Sequence, residues 1–347
     1  MAAKVPTIYD SVAEWCRTVR PDCAFAGRTR ADWRRWRRAF LAHYRRMLGP
    51  WPERVPLRVR VVSRGRRPGY TLEKVLFDSS RGITVPAFLL VPAGVKPGER
   101  RPGILAAHGH GNGKADIAGE AARDGGPVAA DVYRAYARQA VLRGFVVIAP
   151  DWIPFGERRP PGWWVRDRRD ACDISSHAVQ YFGRTLIAQN VWDGMRAVDV
   201  LAAHPNVDRR RLGVVGLSYG GTMTTHLLVN DRRLRAGVVS GYISTVRGDA
   251  LNRRGKGNTC GAQFVPGLLR HGDIPEILGL ASPKPVLCEI GRRETTFHGP
   301  DMLRAFRQAK RIWRAAGVPE RLAADVHGGG HRWSGRRAWA WLERWLA

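Results

Sequence analysis

The chain has 347 residues, of which 44% are hydrophobic, 25% charged and 9% aromatic. Those proportions exclude collagen, low-complexity disorder and a disulfide miniprotein, and the length suffices for one large core or two smaller ones. Lys and Arg number 58 against 30 Asp and Glu, a formal net charge of +28, but 51 of the 58 are Arg, spread along the whole chain. A basic stripe or tail is missing from that pattern, so nucleic acid is not expected as a partner, and the charge is read as a source of solubility and anion attraction.

The first residues, MAAKVPTIYD, hold no apolar run with a small-residue cleavage site, and no stretch of 18 apolar residues occurs. Neither a signal peptide nor a transmembrane segment is therefore expected. Five cysteines (Cys16, Cys23, Cys172, Cys260, Cys288) form no regular framework and no CxxC, which points to free thiols in a reducing, cytoplasmic setting.

Residues 30–48 predict a helix. Trp33, Trp36, Phe40, Tyr44 and Met47 recur at spacings of three and four, arginines fill the other face, and Gly49-Pro50 stops it. The aromatic stripe reads as a packing face, and residues 1–56 as an N-terminal helical extension on the core. From 57 to 92 the period falls to two, in LRVRVV, TLEKVLFDSS and ITVPAFLLVP, which predict strands.

The rhythm then changes. Apolar strands GILAAHGHG, FVVIAPD, RLGVVGLS, LRAGVVSGY, KPVLCEIG and RLAADVHGG are separated by helical patterns. Those helices are DVYRAYARQAVLRG, TLIAQNVWDGMRAVDVLAAHP, YGGTMTTHLLVN, DMLRAFRQAKRIWRAAG and RRAWAWLERWLA. Such alternation predicts an α/β domain over 57–347, its parallel sheet covered on both faces and its chemistry at the carboxyl ends of the strands. Residues 152–184, rich in Trp, Pro and Arg and without a clean period, interrupt it as a lid-like insert at that edge.

Gly216-Leu217-Ser218-Tyr219-Gly220 is a G-x-S-x-G turn between a strand and a helix, the context that exposes a nucleophilic serine. A serine hydroxyl needs a base to take its proton. His331, after the last strand and the glycines of HGGGH, suits that role, with His327 as competitor. A carboxylate must fix the imidazole. Glu294, three residues past Gly291, is well placed, with Glu289 inside the strand and Asp301, read as the next helix cap, as alternatives.

An oxyanion hole calls for the N–H of Tyr219 and one from the loop His108-Gly109-His110-Gly111-Asn112-Gly113, His110 being the expected donor. GHGNGK fails the phosphate-loop pattern, because Ala115 follows Lys114. His108-x-His110 as a zinc pair has no third ligand at fitting spacing, so no metal site and no cofactor is expected. Trp152, Trp163 and Trp164 would either stack on substrate or form the insert's own core. Arg158, Arg159, Arg166, Arg168 and Arg169 would either receive an anion or stay solvated, and His177 is a candidate to touch substrate.

From the WRRWRRAFLAHYRRMLG helix through HGHGNG, VIAPDWIPFGERR, GLSYGG, PVLCEIG with Glu294, and GGGH, the chain resembles the α/β-hydrolase superfamily. Within it, the chain is similar to the bacterial acetyl-xylan-esterase-like and dienelactone-hydrolase-like branch. The resemblance implies a mostly parallel eight-stranded sheet and a triad of Ser218, Glu294 and His331. It departs from dienelactone hydrolases in having serine for cysteine, and from many relatives in having Glu294 for Asp.

The expected activity is hydrolysis of small acyl or acetyl esters, carbohydrate esters among them, on a small-molecule substrate. The alternatives are a serine peptidase or amidase of the same fold, and an inactive hydrolase fold used for binding. Homo-oligomerisation is left open.

Overall fold

A computed structural model describes residues 5–120, 130–165, 170–252 and 258–347. Among them nine strands form one sheet in the order β1-β2-β3-β5-β4-β6-β7-β8-β9. The strands are β1 (Arg60–Arg67), β2 (Tyr70–Ser80), β3 (Ile83–Pro92), β4 (Arg101–Ala107), β5 (Val146–Pro150), β6 (Val207–Leu217), β7 (Leu234–Ser240), β8 (Val286–Gly291) and β9 (Leu322–His327). The pairs β1–β2, β2–β3 and β3–β5 are antiparallel. From β5 through β4 to β9 every pair is parallel. The expected mostly parallel sheet is thus present, with nine strands in place of eight. At its edge β1 exposes nearly all its side chains, and Arg60, Arg64, Arg66 and Arg67 discourage pairing with another chain.

Successive residues of the inner strands serve opposite faces, as a pleat requires. Leu105 and Ala107 join one core cluster, Ile104 and Ala106 the other. The first cluster lies under the helices Arg30–Leu48, Leu186–Ala203, Tyr219–Asn230 and Gly299–Ala315, the second under Tyr136–Leu142 and Ala338–Trp345.

The helix Arg30–Leu48 has the predicted bounds. Thr29 and Asp32 form a capping box, Gly49 follows with φ +84°, and Trp36, Phe40, Tyr44 and Leu48 are buried. The Tyr44 hydroxyl meets Nδ1 of buried His226 at 2.7 Å, which ties this helix to the one behind Ser218.

Three helix readings need correction. DVYRAYARQAVLRG is broken into Ala130–Tyr133 and Tyr136–Leu142, because Arg134 and Ala135 take φ +52° and +47°. The carbonyl of Val132, which a continuous helix would use internally, instead accepts the N–H of Trp333. His298, not Asp301, is the N-cap of Gly299–Ala315. The insert is less irregular than expected, since it contains the helix Ala171–Gln180, capped by the Asp170 carboxylate on the Cys172 N–H. No helix of the described residues is long and apolar enough to cross a membrane.

Candidate active site

Ser218 sits between β6 and the helix Tyr219–Asn230 with φ +61° and ψ −124°. For a residue with a Cβ this is a strained backbone, held here by its surroundings. Its N–H donates to the Ser240 carbonyl at 3.0 Å, which pins the turn to the end of β7. The neighbouring glycines are needed for close approach. A Cβ on Gly220 would lie 1.9 Å from the Ala107 carbonyl oxygen, and one on Gly216 2.3 Å from that of Gly220. The first N–H groups of the helix, Tyr219 included, have no intrahelical acceptor and carry the positive end of its dipole.

Glu294 lies in the loop after β8 and His331 in the loop after β9. The Nδ1 of His331 and the Oε2 of Glu294 are 2.9 Å apart. An ionised carboxylate only accepts, so Nδ1 carries the hydrogen and Nε2 holds the free lone pair. The Glu294 side chain is fully buried and that of His331 is partly exposed. Burial pushes the Glu294 carboxyl up. The His331 hydrogen bond and charge, with backbone N–H groups of Thr296 and Phe297, outweigh it and hold the group below its ordinary value.

Gly241, the residue after β7, takes φ +52° and lies between the serine turn and the histidine. A Cβ there would stand 2.9 Å from Leu217 Cδ1 and 3.3 Å from His331 Cε1.

The competing residues are occupied elsewhere. Glu289 is buried in β8 and accepts the N–H groups of Ser334 and Gly335, at 3.1 and 2.8 Å. It thereby fixes the chain just beyond His331, and burial pushes its carboxyl up to about 7. Asp301 accepts from His298 Nδ1 at 2.7 Å. His327 ends β9 and takes the Gly329 N–H on its Nδ1.

The loop after β4 lies against the serine. A Cβ on Gly109 would be 2.8 Å from the Leu217 carbonyl oxygen and 3.1 Å from Ser218 Cβ. Tyr133 donates to the His110 carbonyl at 2.5 Å, and the His110 ring lies edge-on to Phe155 and Tyr219. His108 is buried and accepts the Trp152 N–H on Nε2. Beneath the loop, buried Lys114 binds Asp151 at 2.5 Å and Glu157 at 2.6 Å, while Lys74 also holds Glu157. This ammonium is spent on two carboxylates, consistent with the failed phosphate-loop pattern. The Tyr219 ring is buried, its hydroxyl accepting from Asn190 at 2.7 Å.

The tryptophans divide. Trp152 is fully buried in the main core, its ring beside Gly194 and His108, so it is a packing residue and not a surface for substrate. Trp163 and Trp164 are exposed and meet edge to face at 5.7 Å. Arg158 binds Asp193 at 2.7 Å and the Asp151 carbonyl, a structural pairing, whereas Arg159 is exposed. Arg166, Arg168 and Arg169 lie outside the described residues. His177 is exposed on the insert helix.

Sequence reasoning missed one cluster altogether. His110, Cys172 and Cys260 bring their Nε2 and two Sγ atoms within 4.8 Å of one another, from three distant segments. The His108-x-His110 spacing concerns only local neighbours.

A family model described as "Abhydrolase family" matches residues 5–329. The "Putative hydrolase YtaP" of Bacillus subtilis strain 168 is 25% identical over 253 residues, 71% of this chain and 77% of that protein. Among solved structures, a "putative acetyl xylan esterase" from Bacteroides fragilis NCTC 9343 aligns with a TM-score of 0.74 at 20% identity, covering 94% of this chain and 83% of that one. A glucuronoyl esterase from Solibacter usitatus aligns with a TM-score of 0.66 at 16% identity, covering 95% and 97%. At these identities the structural likenesses establish a shared fold.

Proposed function

Because the chain belongs to the Abhydrolase family, we propose that it is a serine esterase acting on small acyl esters through Ser218, His331 and Glu294. The observation that carries this reading is the 2.9 Å contact between His331 and Glu294 at the sheet edge where Ser218 caps its helix.

In this reading Ser218 Oγ attacks the ester carbonyl as His331 Nε2 takes its proton. Glu294 holds the imidazole in the Nδ1–H tautomer and offsets the cation that forms. The N–H groups of Tyr219 and His110 receive the oxyanion. His331 then protonates the departing alkoxide, and water, activated by the same imidazole, releases the acid and restores Ser218.

Carbohydrate acyl esters are the substrate class the named relatives suggest. The exposed pair Trp163 and Trp164 offers an aromatic face of the kind sugar rings stack on.

Turnover of a short-chain acyl ester by wild type and Ser218→Ala tests the proposal. A loss of about a million-fold in kcat is expected from removing a triad nucleophile. Wild-type turnover in the variant would refute it.

A further inference from the structure

We propose that His110, Cys172 and Cys260 form a binding site for one thiophilic divalent cation of the zinc class, beside the Ser218 turn. The three donors come from the loop after β4, the insert and the segment after β7, so neither local spacing nor shared secondary structure explains their meeting. The His110 Nε2 lies 3.2 Å from the Cys260 Sγ across 150 residues of sequence.

The geometry suits a metal. A tetrahedral zinc with Zn–S near 2.3 Å and Zn–N near 2.0–2.1 Å sets its ligands roughly 3.5–3.8 Å apart. Three donor atoms all within 4.8 Å of one another reach that spacing by small side-chain adjustments. Cys172 would exchange its contacts with Cys260 and the Asp170 side chain for the ion. Cys172 and Cys260 are free thiols, and the imidazole contact is made to one of them.

The backbone around the site is firm. The Gly261 N–H donates to Asp173 Oδ1 at 2.9 Å, which fastens the residue after Cys260 to the residue after Cys172. A Cβ on Gly261 would lie 2.8 Å from the Cys172 carbonyl oxygen, so the two segments pass as closely as glycine permits.

Bound, the site would comprise two thiolates, a neutral imidazole and the dication, a set with no net charge. The fourth position is left to water or another small ligand. His110 supplies its ring to this site and its backbone N–H to the oxyanion, so the two roles do not compete. The ion takes no step in ester cleavage. It would brace the insert and the segment after β7 against the loop that adjoins Ser218.

The test is titration of the reduced full-length protein with Co²⁺ and then Zn²⁺. One equivalent should bind, with sulfur-to-cobalt charge-transfer absorption that zinc abolishes. In Cys172→Ser and in Cys260→Ser that absorption should vanish and zinc affinity should fall at least about 100-fold, since even an outer-shell partner is worth 10–100-fold.

As a check independent of variant folding, zinc should slow alkylation of Cys260 in the wild type and leave Cys23 unaffected. Failure of the wild type to bind a stoichiometric ion overturns the proposal. So does cobalt bound without a sulfur band, which would place it at Asp22, His43 and His271 instead. Unchanged affinity in both serine variants, or equal alkylation rates with and without zinc, does the same.

Discussion

Glu294 Oε2 and His331 Nδ1 lie 2.9 Å apart, across 37 residues of sequence, with the carboxylate buried and held below its ordinary pKa. The Glu294 side chain reaches the imidazole directly from the loop after β8. The anion, not merely the hydrogen bond, is what the mechanism uses. Glu294→Gln should therefore lower kcat by about 10³–10⁴ while KM changes little, as loss of the correct tautomer does in other triads. Steady-state kinetics on a short acyl ester checks it. A change of less than ten-fold would remove Glu294 from the triad.

Gly241 spaces the histidine from the serine turn. Alanine there would need φ +52° and would press its Cβ to 2.9 Å from Leu217 Cδ1 and 3.3 Å from His331 Cε1. An imidazole displaced by about 1 Å can cost about 100-fold. Gly241→Ala should show a kcat loss of that order with a folded circular dichroism spectrum and a melting temperature lowered by a few degrees. Full activity would mean that this residue does not set the imidazole's position.

Glu289 links pH to stability in the direction opposite to an ordinary ion-paired carboxylate. Its ordinary value is 4.5, and burial raises it to about 7 in the fold. Between those values the folded chain keeps a proton that the unfolded chain has lost. Its contribution is whole below about pH 4.5, falls as pH rises toward about 7, and is flat above. The interval is worth at most about 3 kcal/mol. Glu289→Gln, which cannot ionise but loses one of the two acceptors that hold Ser334 and Gly335, should melt below the wild type near pH 5 and lose less melting temperature than the wild type between pH 5 and pH 8. Thermal melts across that range decide it, and parallel curves would contradict the assignment.

Much of the site was legible because its signals are local. A strand, a glycine-flanked serine and a helix must be adjacent in sequence to make the turn, and GLSYGG is that turn. The aromatic stripe of residues 30–48 and its capping box likewise lie within one helix. Glu294 and His331 could be named as candidates because successive strands of a wound sheet tend to be neighbours, and β8 and β9 are, so their following loops lie side by side.

What was not legible depends on distant chain segments. The break at Arg134-Ala135 has no glycine or proline to mark it, and it leaves the Val132 carbonyl to Trp333, two hundred positions away. Trp152 sits in an insert rich in exposed aromatics, yet packing against Gly194 buries it fully. The cluster of His110, Cys172 and Cys260 has no spacing rule at all, since three distant segments supply it.

Treatment of the wild-type protein with a fluorophosphonate probe, followed by peptide mapping, bears most directly on the nucleophile. A single covalent adduct on Ser218, lost in Ser218→Ala and greatly slowed in His331→Ala, is the predicted result. An unlabelled Ser218 in active, folded protein, or an adduct on another residue, would contradict the account.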